Sequence, residues 1–220
     1  MKKKAMNAGQ IYAELLARYP CLNTCKEDIY TAYEELLACY RRGGKLLVAG
    51  NGGSAADSEH IIGELQKSFR FDRRLDETLY QKLCEEYGED GRQLASTLEG
   101  SFPAVTLTSM PAISTAFAND VNATACFAQM LSAMGRTGDV FLAISTSGNS
   151  ENIRLALMVA RAIGAVSILL TGGNGGVCRA LADITISVPE SETFKIQELH
   201  LPIYHALCAM VEAELFEEKR

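Results

Sequence analysis

Five short apolar runs set the terms on which this chain can fold. They are Lys45–Ala49, Ala104–Leu107, Val140–Ile144, Val166–Leu170 and Ile184–Val188. Helical stretches such as Ser150–Ile163 lie between them. Apolar strands of this length alternating with helices imply parallel β-α-β units in a sheet covered on both faces. The expected fold is therefore α/β, a doubly wound five-stranded parallel sheet flanked by helices. A chain of 220 residues suits one such domain, spanning 1–220. In these sheets ligands bind where the strands end at their carboxyl side.

Ahead of the sheet, residues 1–44 read as a helical pair. Met6–Tyr19 forms the first helix, ended by Pro20. The second is expected after Thr24, which with Glu27 has the spacing of a capping box. Ile29, Tyr33, Leu36, Leu37 and Tyr40 keep its helical period, and Gly43-Gly44 stops it. A second departure from the sheet pattern spans about 70–100. It is acidic (Asp76, Glu77, Glu85, Glu86, Glu89, Asp90, Glu99), with a helix expected around Leu75–Glu86. It reads as an insertion, either a solvated excursion or a lid or subunit contact.

Charge and cysteine usage narrow the partners. Lys and Arg number 21 against 27 Asp and Glu, a net charge of −6, and the one basic block is Lys2–Lys4. That balance argues against a nucleic-acid partner. No apolar run is long enough to span a membrane. The lysine-rich start lacks the apolar stretch of a secretory signal. Seven scattered cysteines with no Cys-x-x-Cys indicate reduced, buried thiols in a cytoplasmic protein.

The chemistry concentrates at two strand ends. Val140–Ile144 runs into Ser145-Thr146-Ser147-Gly148-Asn149-Ser150 and then a helix. Four hydroxyls, a glycine and a helix N-terminus in one place suit a phosphate monoester, without need of a lysine. An ordinary helix cap would use only one of these residues. The first strand runs into Gly50-Asn51-Gly52-Gly53-Ser54-Ala55. This meets a loose dinucleotide pattern, but the acidic partner expected about 20 residues on falls in the polar insertion. No Lys-[Ser/Thr] closes it as a Walker A loop. In the helix that follows, His60 and Glu64 lie one turn apart on one face, a pair suited to proton transfer or to a divalent metal. The remaining histidines, His200 and His205, open the last helix, and His200 reads as a satisfied core residue.

Taken in order, Asn51-Gly52-Gly53-Ser54-x-x-Asp57-x-x-His60-x-x-x-Glu64, Asn119-Asp120, Ser145–Ser150 and Gln197-Glu198-x-His200-x-x-x-x-His205 resemble the phosphoheptose isomerases, which are sugar-isomerase (SIS) domain proteins. The resemblance covers nearly the whole chain apart from the insertion. It implies that Ser145, Thr146, Ser147 and Ser150 hold the substrate phosphate, with Ser54 nearby. Asn51, Gly52, Gly53, Asn119 and Asp120 would line the sugar chain. Glu64 and His205 would be the catalytic acid–base pair, and His60, Glu64, Gln197 and His205 the ligands of one zinc ion per subunit. Gln197 and Glu64 would also face the substrate. The family pattern further implies a homotetramer with active sites at subunit interfaces.

The activity implied is aldose–ketose isomerisation of sedoheptulose 7-phosphate to D-glycero-D-manno-heptose 7-phosphate through an enediol. Two alternatives stand beside it: a non-catalytic SIS protein that senses phosphosugars or associates with a replication initiator, and an isomerase of another sugar phosphate. Retention of both Glu64 and His205 argues against the non-catalytic class. Two features depart from the pattern. The insertion directly follows the His60/Glu64 helix. Pro202 falls between Gln197 and His205, and it predicts a late helix start or a kink, with Gln197 in the lead-in or a distorted first turn.

Overall fold

The computed structural model of the chain describes residues 6–217, so Lys2–Lys4 lie outside it. The five expected strands all form: β1 Leu46–Ala49, β2 Ala104–Thr106, β3 Val140–Ile144, β4 Val166–Gly172 and β5 Ile184–Val188. They pair in parallel in the order β2-β1-β3-β4-β5. Strand order reverses between β1 and β3, where Leu46 lies opposite Val140 and Ala49 opposite Ala143. A crevice at such a reversal is the usual ligand site of an open α/β sheet.

Side chains alternate across the strands, and two cores result. On one face Leu46, Val48, Leu142, Ile144, Ile168 and Leu170 pack against α1 (Ala8–Arg18), α2 (Lys26–Arg41), α3 (Gly53–Gln66) and α8 (Thr193–Glu217). On the other, Leu47, Ala49, Phe141, Ala143 and Leu169 meet α6 (Cys126–Met134) and α7 (Glu151–Ile163). β1 and β3 are buried along their whole length, which explains why they read as unbroken apolar runs.

The N-terminal pair is present, but its caps differ from the expected ones. α1 starts two residues later than expected, on a capping box between Asn7 and Gln10. The Thr24/Glu27 box does not form. Pro20–Cys25 winds into a 3-10 turn, in which the Thr24 hydroxyl donates to the Cys21 carbonyl, and α2 begins at Lys26 behind a Cys25 cap.

The insertion is more helical than its sequence suggested. It consists of α4 (Glu77–Thr97), capped by Asp76, with a sharp kink at Gly88, where φ is +59°. Only glycine adopts this left-handed conformation without strain. Leu79, Tyr87 and Leu94 are exposed, so most of the element stands off the core. Its base is closed by an antiparallel bridge between Arg74 and Glu99 and by the Glu99 carboxylate accepting the Ser68 N–H at 2.7 Å. α5 (Pro111–Phe117) follows β2 and widens into a π-type turn over Ala118–Asn122. No helix among the described residues is long and apolar enough to cross a membrane.

α8 corrects two expectations. It begins at Thr193, well before Pro202, and runs through the proline to Glu217. The ring removes one helical hydrogen bond, and burial of Ile203, Tyr204, Ala206 and Leu207 offsets that loss. Gln197 therefore stands inside regular helix rather than in a lead-in. His200 is fully buried as expected, but it is not satisfied, since neither ring nitrogen has a hydrogen-bond partner.

Burial lowers the His200 pKa to about 4. The folded-state value lies below the unfolded one, so the unfolded chain takes up the proton first. Stability is complete above about pH 6.5 and falls as pH drops toward 4, by roughly 3 kcal/mol from this one residue. Urea midpoints at pH 7 and pH 4.5 test this. The fall should be clearly smaller in His200→Leu.

Candidate active site

The serine loop leaves β3 at the strand reversal and enters α7. Ser145 is buried, and its hydroxyl lies 3.0 Å from that of Ser150. Ser150 is the N-cap of α7, yet its side chain caps no backbone N–H. The positive end of this 13-residue helix follows directly on the loop, and of its first N–H groups that of Ile153 is taken by Asn152 Oδ1 at 3.0 Å. Ser147 Oγ accepts the Asn149 N–H, and the Asn149 side chain accepts the Val177 N–H from the loop after β4. Gly148 sits at φ +66°, and a Cβ there would come within 1.9 Å of the Gly175 carbonyl oxygen. The loop lines the end of β3 with the hydroxyls of Ser145, Ser147 and Ser150.

The glycine-rich turn after β1 is tied to this loop. Asn51 and Asn152 exchange two amide hydrogen bonds, of 3.0 and 2.8 Å. Asn152 stands in the first turn of α7, so the ends of β1 and β3 are cross-linked at the reversal. Ser54 is buried in the first turn of α3. Asn119 and Asp120 lie on the exposed turn beyond α5, hydrogen-bonded to each other at 2.7 Å and to none of the other candidate residues.

Further along α3 the acid–base candidates meet. His60 Nε2 lies 3.2 Å from Glu64 Oε1 and 3.4 Å from His205 Nε2, which α8 brings across. The other Glu64 oxygen faces the Lys67 ammonium at 3.3 Å. Burial, with the neighbouring His60, holds the His205 imidazole below its usual range, and Glu64 only partly opposes this. The Phe69 ring packs beside His205, 5.6 Å between centroids. A groove of about 310 Å³ between α1 and α8 opens on His205, with Arg18 and Arg70 in its walls.

Gln197 does not join them. Its amide lies against the backbone of Gly53, where a glycine Cβ would come 2.6 Å from Nε2. α3 and α8 run side by side, and eight residues separate Gln197 from His205, about 12 Å of helical rise. The expected four-ligand zinc set is not assembled within the chain. The three that meet are two imidazoles and a carboxylate, the right donor chemistry for zinc, but His60 contacts the other two directly. Among the described residues no group of three or more His, Cys, Asp or Glu is arranged to hold a metal ion.

No family model matches the chain. Curated relatives do. A phosphoheptose isomerase of Clostridium acetobutylicum is 37% identical over 193 residues, covering 88% of this chain and 85% of the relative. Phosphoheptose isomerase 2 of Campylobacter jejuni is 40% identical over 188 residues, covering 86% of this chain and 81% of the relative.

The chain belongs to the phosphoheptose isomerase family.

The solved phosphoheptose isomerase from Neisseria gonorrhoeae agrees, with a TM-score of 0.72 and 31% identity across 92% of this chain and 95% of that one. In this phosphoheptose isomerase homologue the sequence pattern left four supporting residues without a role. Asp57 shares a helix face with His60 and Glu64 and accepts a hydrogen bond from Tyr204. The 57/60/64 spacing carried that signal; Tyr204, adjacent to His205, carried none. Arg73 and Glu212 form a fully buried ion pair of 2.6 Å. The same guanidinium donates to the Leu65 and Glu64 carbonyls at 2.6 and 2.8 Å. It thus satisfies the carboxyl end of the helix that bears Glu64.

Proposed function

We propose that the chain interconverts sedoheptulose 7-phosphate and D-glycero-D-manno-heptose 7-phosphate as an aldose–ketose isomerase. The observation that carries this is the meeting of Glu64 and His205 on His60, from helices distant in sequence. A binding-only SIS protein needs the serine cradle but has no use for this second cluster. Ser145, Thr146, Ser147, Ser150 and the α7 N-terminus hold the phosphate. Glu64 moves the proton between C1 and C2, and the His205 imidazole serves the sugar oxygens as the enediol forms and collapses.

His60, Glu64 and His205 would hold the divalent ion, zinc by their donor chemistry. When bound it would polarise the carbonyl and steady the enediolate. The split of the Glu64 oxygens between His60 and Lys67 bears on its double duty as ligand and base. Gln197, beside Gly53, is assigned to the substrate side rather than to the metal.

The catalytic cluster lies about 10 Å or more of helical rise below the glycine-rich turn to which the cradle is bonded. That separation supports a homotetramer in which neighbouring copies complete each site. All seven cysteines are free thiols, which supports a cytoplasmic location, although Cys21 is exposed and Cys84 half-buried rather than buried as expected. One purified sample tests the reading. Incubation with sedoheptulose 7-phosphate, followed by NMR, should show aldose product. Metal analysis should find about one zinc per chain, and light scattering a tetramer. Absence of aldose with and without added zinc would reject the activity.

A further inference from the structure

Arg73 and Glu212 are no part of the catalytic cluster, yet their ion pair joins the two helices that carry it. Both side chains are wholly buried. On one side, the Arg73 guanidinium donates to the backbone carbonyls of Glu64 and Leu65, at 2.8 and 2.6 Å. On the other, its Nε–H donates to Glu212 Oε1 at 2.6 Å, and Glu212 stands about two turns beyond His205 on α8. The same carboxylate accepts the Phe69 N–H at 2.9 Å and the Arg70 N–H at 2.8 Å. That holds the turn from which the Phe69 ring packs beside His205.

Filling the core does not account for such a pair, because apolar side chains of similar volume often replace a buried ion pair without loss. What they lack is direction. A guanidinium is a planar fork whose donors point at fixed angles. Here the fork is held between the Phe102 and Phe216 rings, 4.9 and 5.4 Å from its carbon. Its bonds restrain the last turn of α3 from sliding or rotating against α8. Glu64 is in that turn, and its own carbonyl is one of the acceptors. Proton transfer depends on such placement, since an error of about 1 Å introduced away from the chemistry can cost about 10²-fold in rate.

We infer that Arg73 is a positioning residue for the isomerisation, which with Glu212 clamps the carboxyl end of α3 to α8 and so sets Glu64 against His205. This rests on the reading of Glu64 and His205 as the acid–base pair, and one arm of its test does not depend on turnover.

The experiment compares Arg73→Lys, Arg73→Met and the double variant Arg73→Met, Glu212→Met in the full chain, with sedoheptulose 7-phosphate as substrate and zinc supplied. A lysine ammonium can meet Glu212 but has no fork to hold both carbonyls. In Arg73→Lys and in the double variant kcat should fall about 10²-fold, with KM nearly unchanged. From Arg73→Met to the double variant the urea midpoint should rise while kcat stays low, whereas a merely structural role would restore the two together. The second arm is NMR of chain carrying labelled Phe and His. The nuclear Overhauser contact between the Phe69 and His205 rings should survive in Arg73→Lys, where Glu212 still accepts the Phe69 N–H, and be lost in the double variant. Circular dichroism identifies a variant that fails to fold, in which case the other decides. Wild-type kcat in either folded variant, a kcat that recovers with the urea midpoint, or an unchanged ring contact in the double variant overturns the inference. An inactive wild type whose double variant loses the ring contact would instead overturn the assigned reaction and leave the clamp standing.

Discussion

Glu64→Gln is expected to lower kcat for heptose phosphate isomerisation about 10³-fold, with KM for the phosphorylated sugar nearly unchanged. General acid–base groups contribute on this scale. The amide keeps the shape of the side chain but cannot take a proton from carbon. The proposed phosphate cradle is on a different element and is untouched, so binding should survive. His205→Ala should depress turnover comparably, because it removes the imidazole proposed to serve the oxygens. Steady-state kinetics with a circular dichroism control decide the matter. Near-normal rates in either variant would remove that residue from the chemistry.

The second large effect is on stability. Arg73→Met should destabilise the chain by about 3–5 kcal/mol, because it leaves the Glu212 carboxylate buried without its counter-charge. Phe69 and Arg70 would still donate their N–H groups to Glu212, at 2.9 and 2.8 Å, and they limit the loss. The variant also frees the Glu64 and Leu65 carbonyls and empties the space between the Phe102 and Phe216 rings, 4.9 and 5.4 Å from the guanidinium. The double variant Arg73→Met, Glu212→Met should recover part of the deficit, since no lone charge remains inside. Urea unfolding of the two variants measures both numbers. A single variant as stable as the wild type would show that the pair contributes nothing.

The sheet was legible in the sequence because a strand buried on both faces has no choice but to be apolar, and all five strands lie within the expected runs or extend them slightly. The serine loop was legible for a related reason: four hydroxyls before a helix exceed what any cap requires. The cap of α2 was not. Thr24 has two local carbonyl and amide environments to choose from, and the 3-10 turn started by Pro20 claimed it first. Gln197 and His205 illustrate a different limit. Their spacing along the chain was visible, but which rung of α3 each would face depended on how the two helices lie side by side. Pro202 was read as forcing a late helix start or a kink because local cost was weighed without the tertiary burial that outweighs it. Arg73 was hidden inside a polar stretch, where nothing in composition distinguishes a buried cation from its exposed neighbours.

The kinked α4 protrusion is fastened at its root by Arg74, Glu99 and Ser68, while its tip touches little else. Its length is consequently decoupled from the architecture beneath. Descendants of this chain can shorten, lengthen or recode that outgrowth at small thermodynamic risk, without re-solving the folding problem.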